Sequence, residues 1–104
     1  MDRLVETTKL EEILRSRIAS YAGPVESPAG ISELFFVENP QKQIYCIVAP
    51  YDPAYNKTDI ALMARIVDDH IIIEVDKNGD PLIEKLQQAG IPDEQIRVAW
   101  KARR

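Results

Sequence analysis

Two apolar runs separated by two acidic residues constrain this chain more than any other feature. Residues 60–67 and 70–75 are joined only by Asp68-Asp69, and so short a connection makes the runs pair as an antiparallel hairpin. Pairing outward from the turn sets Ile66 opposite Ile71, Ala64 opposite Ile73 and Leu62 opposite Val75. That face is wholly apolar and is core. On the other face Val67 meets His70, Arg65 meets Ile72, and Met63 meets Glu74. Three apolar groups beside two charged ones call for partial cover by a loop, a subunit or a partner. Met63, Arg65, Val67, Ile72 and Glu74 therefore form the candidate partner-binding set. Asp takes up positive φ less readily than Asn or Gly, so the turn is expected to be somewhat strained or slightly longer.

The flanking sequence supplies the other elements. Leu10, Ile13, Leu14, Ile18 and Tyr21 recur at helical spacing, and Gly23-Pro24 stops the run, which predicts a helix over 3–22. Thr8-Lys9-Leu10-Glu11 has the form of a capping box near its start. Residues 25–30, with Pro28 and Gly30 and directly after Pro24, read as a linker within the domain. Residues 31–38 and 43–49 are rich in β-branched and aromatic side chains and flank the turn residues Asn39-Pro40-Gln41-Lys42, so they form a second hairpin. They are apolar at nearly every position, which indicates strands covered on both faces or one face closed by another subunit. Beyond the central hairpin, Asp80 is placed to cap a helix starting at Pro81, and Gly90 to end it. A short helical turn over 92–95 and an alternating tail of Ile96, Val98 and Trp100 follow. The sum is a single α+β domain over 1–104: an N-terminal helix, an antiparallel sheet of about four strands in two hairpins, a C-terminal helix and a short terminal strand.

Composition then removes function classes. No apolar run approaches the ~18 residues of a membrane span, and the acidic N-terminus does not resemble a secretory leader. A cytoplasmic location is expected. The formal charge of −4 argues against a broad phosphate-binding face. Its distribution is uneven, because Arg97, Lys101, Arg103 and Arg104 fall in the last eight residues without an acid. The first 96 residues hold the other nine Lys and Arg and all seventeen acids, hence −8. Those four cations are the candidate nucleic-acid contacts. One His and one Cys cannot build a transition-metal site within one chain, and the Asp76 to Asp80 turn has its Gly in the wrong place for a calcium loop. Neither a metal nor a cofactor is expected. Cys46, inside an apolar run, reads as a buried structural thiol. The longest irregular stretch, 50–57, offers Tyr51, Asp52 and Tyr55 as a candidate ligand loop. With no phosphate loop, nucleophile elbow or HExxH motif, the sequence does not favour an enzyme.

One resemblance adds to this. Ile66-x-Asp68-x-x-Ile71-x-Ile73, then Asp76, then Leu86-x-x-Ala89-Gly90-Ile91-Pro92-x-Glu94-x-Ile96 is similar to the XisI family, accessory proteins linked to excision of the fdxN DNA element in cyanobacteria. The chain resembles a divergent member. It has Asp68-Asp69 where the family has Asp-Gly, Ile72 where the family has Trp, and Asp76-Lys77-Asn78-Gly79 where the family has Asp-Gly-Thr-Glu. The resemblance implies an α+β fold and a non-enzymatic controlling role beside a second small protein, XisH. It carries over no catalytic residues.

Overall fold

The computed structural model describes residues 4–27, 30–53 and 55–101. Its centre is a six-stranded sheet in sequential order: β1 (Gly23–Ser27), β2 (Gly30–Asn39), β3 (Ile44–Asp52), β4 (Lys57–Val67), β5 (His70–Asp76) and β6 (Ile96–Val98). The first five strands form an antiparallel meander, and β6 runs parallel to β5. The sheet is thus mixed, with two strands more than expected. A parallel neighbour needs a crossover, and helix α2 (Leu82–Gln88) supplies it.

Both helices lie on the same side. Helix α1 (Thr7–Ala19) sends Leu10, Leu14 and Ile18 into the core, one turn apart. They meet Tyr45 and Ile47 of β3, Leu62, Ala64 and Ile66 of β4, and Ile71 and Ile73 of β5. From α2 come Leu82 and Leu86, and Ile91 and Ile96 close the end. Five of the six residues on the expected all-apolar face of the central hairpin are therefore the floor of the core, and Val75 is on the other face, paired with Met63.

Four expectations change on the folded chain. Residues expected as a linker form β1, because the first half of β2 extends past β3 and takes Gly23 to Ser27 as its partner. Pro24 is acceptable there because an edge strand need not donate outward. Helix α1 is shorter than 3–22. Glu6 is its N-cap without a side-chain bond, Leu10 N–H reaches Glu6 O at 2.9 Å, and Thr8 lies inside the helix, so the capping box does not form. Helix α2 starts at Leu82, and its first N–H is capped by the carboxylate of Asp76 at 2.8 Å, not by Asp80. The register of the central hairpin holds from Val67–His70 to Ala64–Ile73, then shifts: Met63 pairs with Val75 and Leu62 with Asp76. Glu74 is the extra residue of a bulge, which bends the strand and adds twist.

Two features lock this arrangement. Asp68 and Asp69 have φ of 49° and 63°, so the turn keeps two residues in the left-handed region, as a primed hairpin connection requires. Gln95, fully buried, then ties three segments together. Its Oε1 accepts from Val5 N–H at 2.7 Å, and its Nε2 donates to Val5 O at 3.0 Å and to Asp69 O at 2.9 Å. Held this way, Val5 lies ahead of α1, whose N-cap Glu6 is extended. The Thr7 hydroxyl donates to the Asp69 carboxylate beside it.

Gln95→Ala leaves the Val5 and Asp69 backbone groups without partners and is expected to cost about 3 kcal/mol in urea unfolding. Asp68 makes no side-chain bond among the described residues, so Asp68→Gly relieves the backbone alone. It is expected to stabilise the fold by about 0.5–1 kcal/mol in the same assay.

Candidate protein-docking face

The sheet has a second face, and among the described residues no helix lies over it. Because paired residues share a face, the strand registers generate it directly. One row runs Val37, Cys46, Met63, Val75 and the next Phe35, Val48, Ile60. Another runs Ile44, Arg65, Ile72, Arg97, and Val67 pairs with His70 at the hairpin end. Two bulges keep the rows aligned, one in β4 between Ile60 and Leu62 and one at Glu74.

The face is apolar at its centre. Phe35, Val37, Ile60 and Val67 are exposed at 46, 49, 41 and 37%. Ile44, Cys46, Val48, Met63, Ile72 and Val75 are half-buried by one another, and none of them packs against the core cluster. The only charges in the central rows are matched: Arg65 Nε donates to Glu74 Oε2 at 2.7 Å. Glu74, the bulge residue, lies diagonally across from Arg65, which pairs with Ile72.

All five residues of the expected partner-binding set lie on this face. Sequence reasoning missed its other half: Phe35, Val37, Ile44, Cys46, Val48, Ile60 and Val75. The signal was the unbroken apolar character of β2 and β3, which the central hairpin's alternation alone could not extend. Cys46 sits here, half-buried, and not in the core. Burial still raises its pKa, which keeps it a thiol and a poor nucleophile.

The other candidates are dispersed. Arg97 occupies the rim next to Ile72. Lys101 lies in the short turn 99–101, beside Trp100, at a shallow cleft of about 280 Å³ lined also by Ile83, Val98 and Asp76. Arg103 and Arg104 lie outside the described residues. In the 50–57 loop, Asp52 and Tyr55 line an open hollow of about 220 Å³ with Lys57 and Asp59. Tyr51 is absent from it and donates instead to Asn56 Oδ1 at 2.7 Å. The Asp59 carboxylate is held below the usual range, first by its bond to Lys77 at 2.8 Å. Among the described residues no cluster of three or more His, Cys, Asp or Glu could hold a metal ion, and no helix is long and apolar enough to cross a membrane.

On the helix side, Arg15 makes a two-pronged pair with Glu38 at 2.8 and 2.7 Å and lies over the Phe36 ring. The hydrogen bond lowers the pKa of Glu38 and raises that of Arg15. Glu38 is thus engaged by Arg15.

Comparison with known proteins places the fold. No family model matches the sequence, and no curated protein matches it. Solved structures do. A XisI-like protein from Anabaena variabilis ATCC 29413 superposes with a TM-score of 0.75 at 18% identity, over 86% of this chain and 83% of that one. The fdxN element excision controlling factor XisI from Anabaena variabilis ATCC 29413 gives 0.71 at 19% identity, over 90% of this chain and 86% of its own. The chain shares the fold of these proteins. The resemblance read from the central hairpin and the Ala89-Gly90-Ile91-Pro92 exit thus finds its counterpart in three dimensions.

Adjacent residues on opposite faces make the two-sidedness testable. Ile71→Asp puts a charge into the core and is expected to unfold the protein, at a cost above about 4 kcal/mol. Ile72→Asp is expected to keep a native far-UV circular dichroism spectrum.

Proposed function

We propose that this protein is a non-enzymatic, XisI-like controlling factor for excision of a DNA element, acting in the cytoplasm by binding a XisH-like protein partner. The observation that carries the reading is the sheet face without a covering helix: apolar at the centre, with its charges at Arg65 and Glu74 already paired. Interfaces of proteins that work by association have this anatomy, an apolar middle depleted of free charge and a polar rim. The likeness in fold to proteins named for excision control supplies the biological setting.

In this reading Met63, Val67 and Ile72 fill the partner's hollows, while Arg65 and Glu74 fix orientation. The acidic body of the chain, −8 over the first 96 residues, suits a basic partner such as a nucleic-acid-binding protein and speeds its encounter. No catalytic residue is required, and the carboxylates of Asp76, Glu38 and Asp59 are engaged in a helix cap and ion pairs.

Co-expression with a XisH-like protein tests this. The pair is expected to co-purify, and Ile72→Asp, with its spectrum unchanged, is expected to weaken the complex at least tenfold, the size of a central contact. Unaltered affinity in the folded variant would remove this face from the proposal, and absence of any complex would remove the partner.

A further inference from the structure

The free protein faces a physical problem that the partner alone does not solve. Ten apolar side chains stand on a continuous sheet face over β2 to β5, among them Phe35, Val37, Cys46, Met63 and Ile72. Monomeric soluble proteins rarely expose contiguous apolar patches above a few hundred Å². Four strands about 4.8 Å apart and about 20 Å long give this face roughly 400 Å² in plan, and more with side-chain relief. That approaches the roughly 600 Å² per partner at the lower end of stable interfaces.

We propose that in the absence of a partner this face is closed by a second copy of the same chain, packed sheet against sheet about a twofold axis. Charge at the centre of the face permits a copy. Arg65 is neutralised within its own chain by Glu74 at 2.7 Å, so two centres can meet without like-charge repulsion and without a missing counter-ion. Arg97, which has no carboxylate partner among the described residues, stays at the rim where water solvates it. Shape favours it, because two twisted sheets stack about 10 Å apart with their strands roughly 30° from parallel, and a twofold axis makes one patch serve both sides. The inference rests on the same face as the partner reading but not on the partner's identity. A XisH-like protein and a second protomer then compete for one surface.

Cys46 is the only cysteine of the chain and sits in the middle of the patch between Val37 and Met63, so it reports closure. Sedimentation of the protein alone, over roughly a hundredfold range of concentration around the micromolar, is expected to give twice the chain mass of 11.8 kDa. Ile72→Asp and Val37→Asp, on separate strands, are each expected to be folded and to sediment as single copies. Maleimide labelling of Cys46 is expected to be at least tenfold faster in these variants than in the wild type. A wild type of single-copy mass throughout the range overturns the proposal, as does a trimer, a dimer that persists in a folded variant, or equal labelling rates. If neither variant folds, wild-type labelling decides: it must slow as protein concentration rises. Co-purification with a partner can fail while the dimer stands, and the dimer can fail while co-purification succeeds.

Discussion

Once Asp68 and Asp69 are the two residues of the turn, every side chain in the central hairpin is committed to a face. Side chains alternate strictly along a strand, so a slip of one residue would exchange Ile71 and Ile73 for Ile72 and Glu74 in the core. Neither acid is favourable at positive φ, and the turn is held from outside: Gln95 binds the Asp69 carbonyl and Thr7 its carboxylate. Because Gln95 also binds both backbone groups of Val5, one buried amide couples the turn, the entry to α1 and the approach to β6. The helix start, the hairpin register and the parallel strand are thus parts of one constraint.

A consequence is the one-sidedness of the molecule. Helix α1 is tied down before the sheet and α2 crosses after it, and both settle on the face that carries Tyr45, Ile47, Leu62 and Ile71. The chain has no further helix among its described residues for the other face. Nor does that face read as solvated surface, since its interior positions are Val, Ile, Phe, Met and Cys and its central ion pair is internal. An antiparallel sheet with one wet side would alternate apolar and polar residues. Strands β2 and β3 do not alternate in this way, which is the physical basis for proposing that the face is used in association.

The bulges explain how so apolar a face also carries charge. Regular pairing would set Glu74 opposite Met63, one row away from Arg65. The carboxylate of this extra residue reaches the guanidinium at 2.7 Å, and a paired charge is far cheaper to cover than a lone one. The second bulge, at Ala61, turns that residue inward, where its carbonyl accepts from Lys77 N–H at 2.9 Å and helps hold the chain leading into α2.

The sequence by itself determined the two central hairpins, the apolar stripe of α1, the exit of α2 at Gly90 and the five residues of the hairpin's second face. Each follows from local rules: side-chain period, turn chemistry and chain stops, which act over a few residues. What only the tertiary structure decided was where those elements end and what they share. Residues 25–27 look like linker until β2 offers an edge, Asp76 at the end of β5 replaces Asp80 as the cap of Leu82, and Gln95 gives no local sign of a residue that binds Val5 ninety positions away. The extent of the uncovered apolar face belongs to the same class. Met63, Val67 and Ile72 were legible from one hairpin, but Phe35, Val37 and Cys46 join them only through pairing between strands distant in sequence, and no local pattern encodes which strand lies beside which.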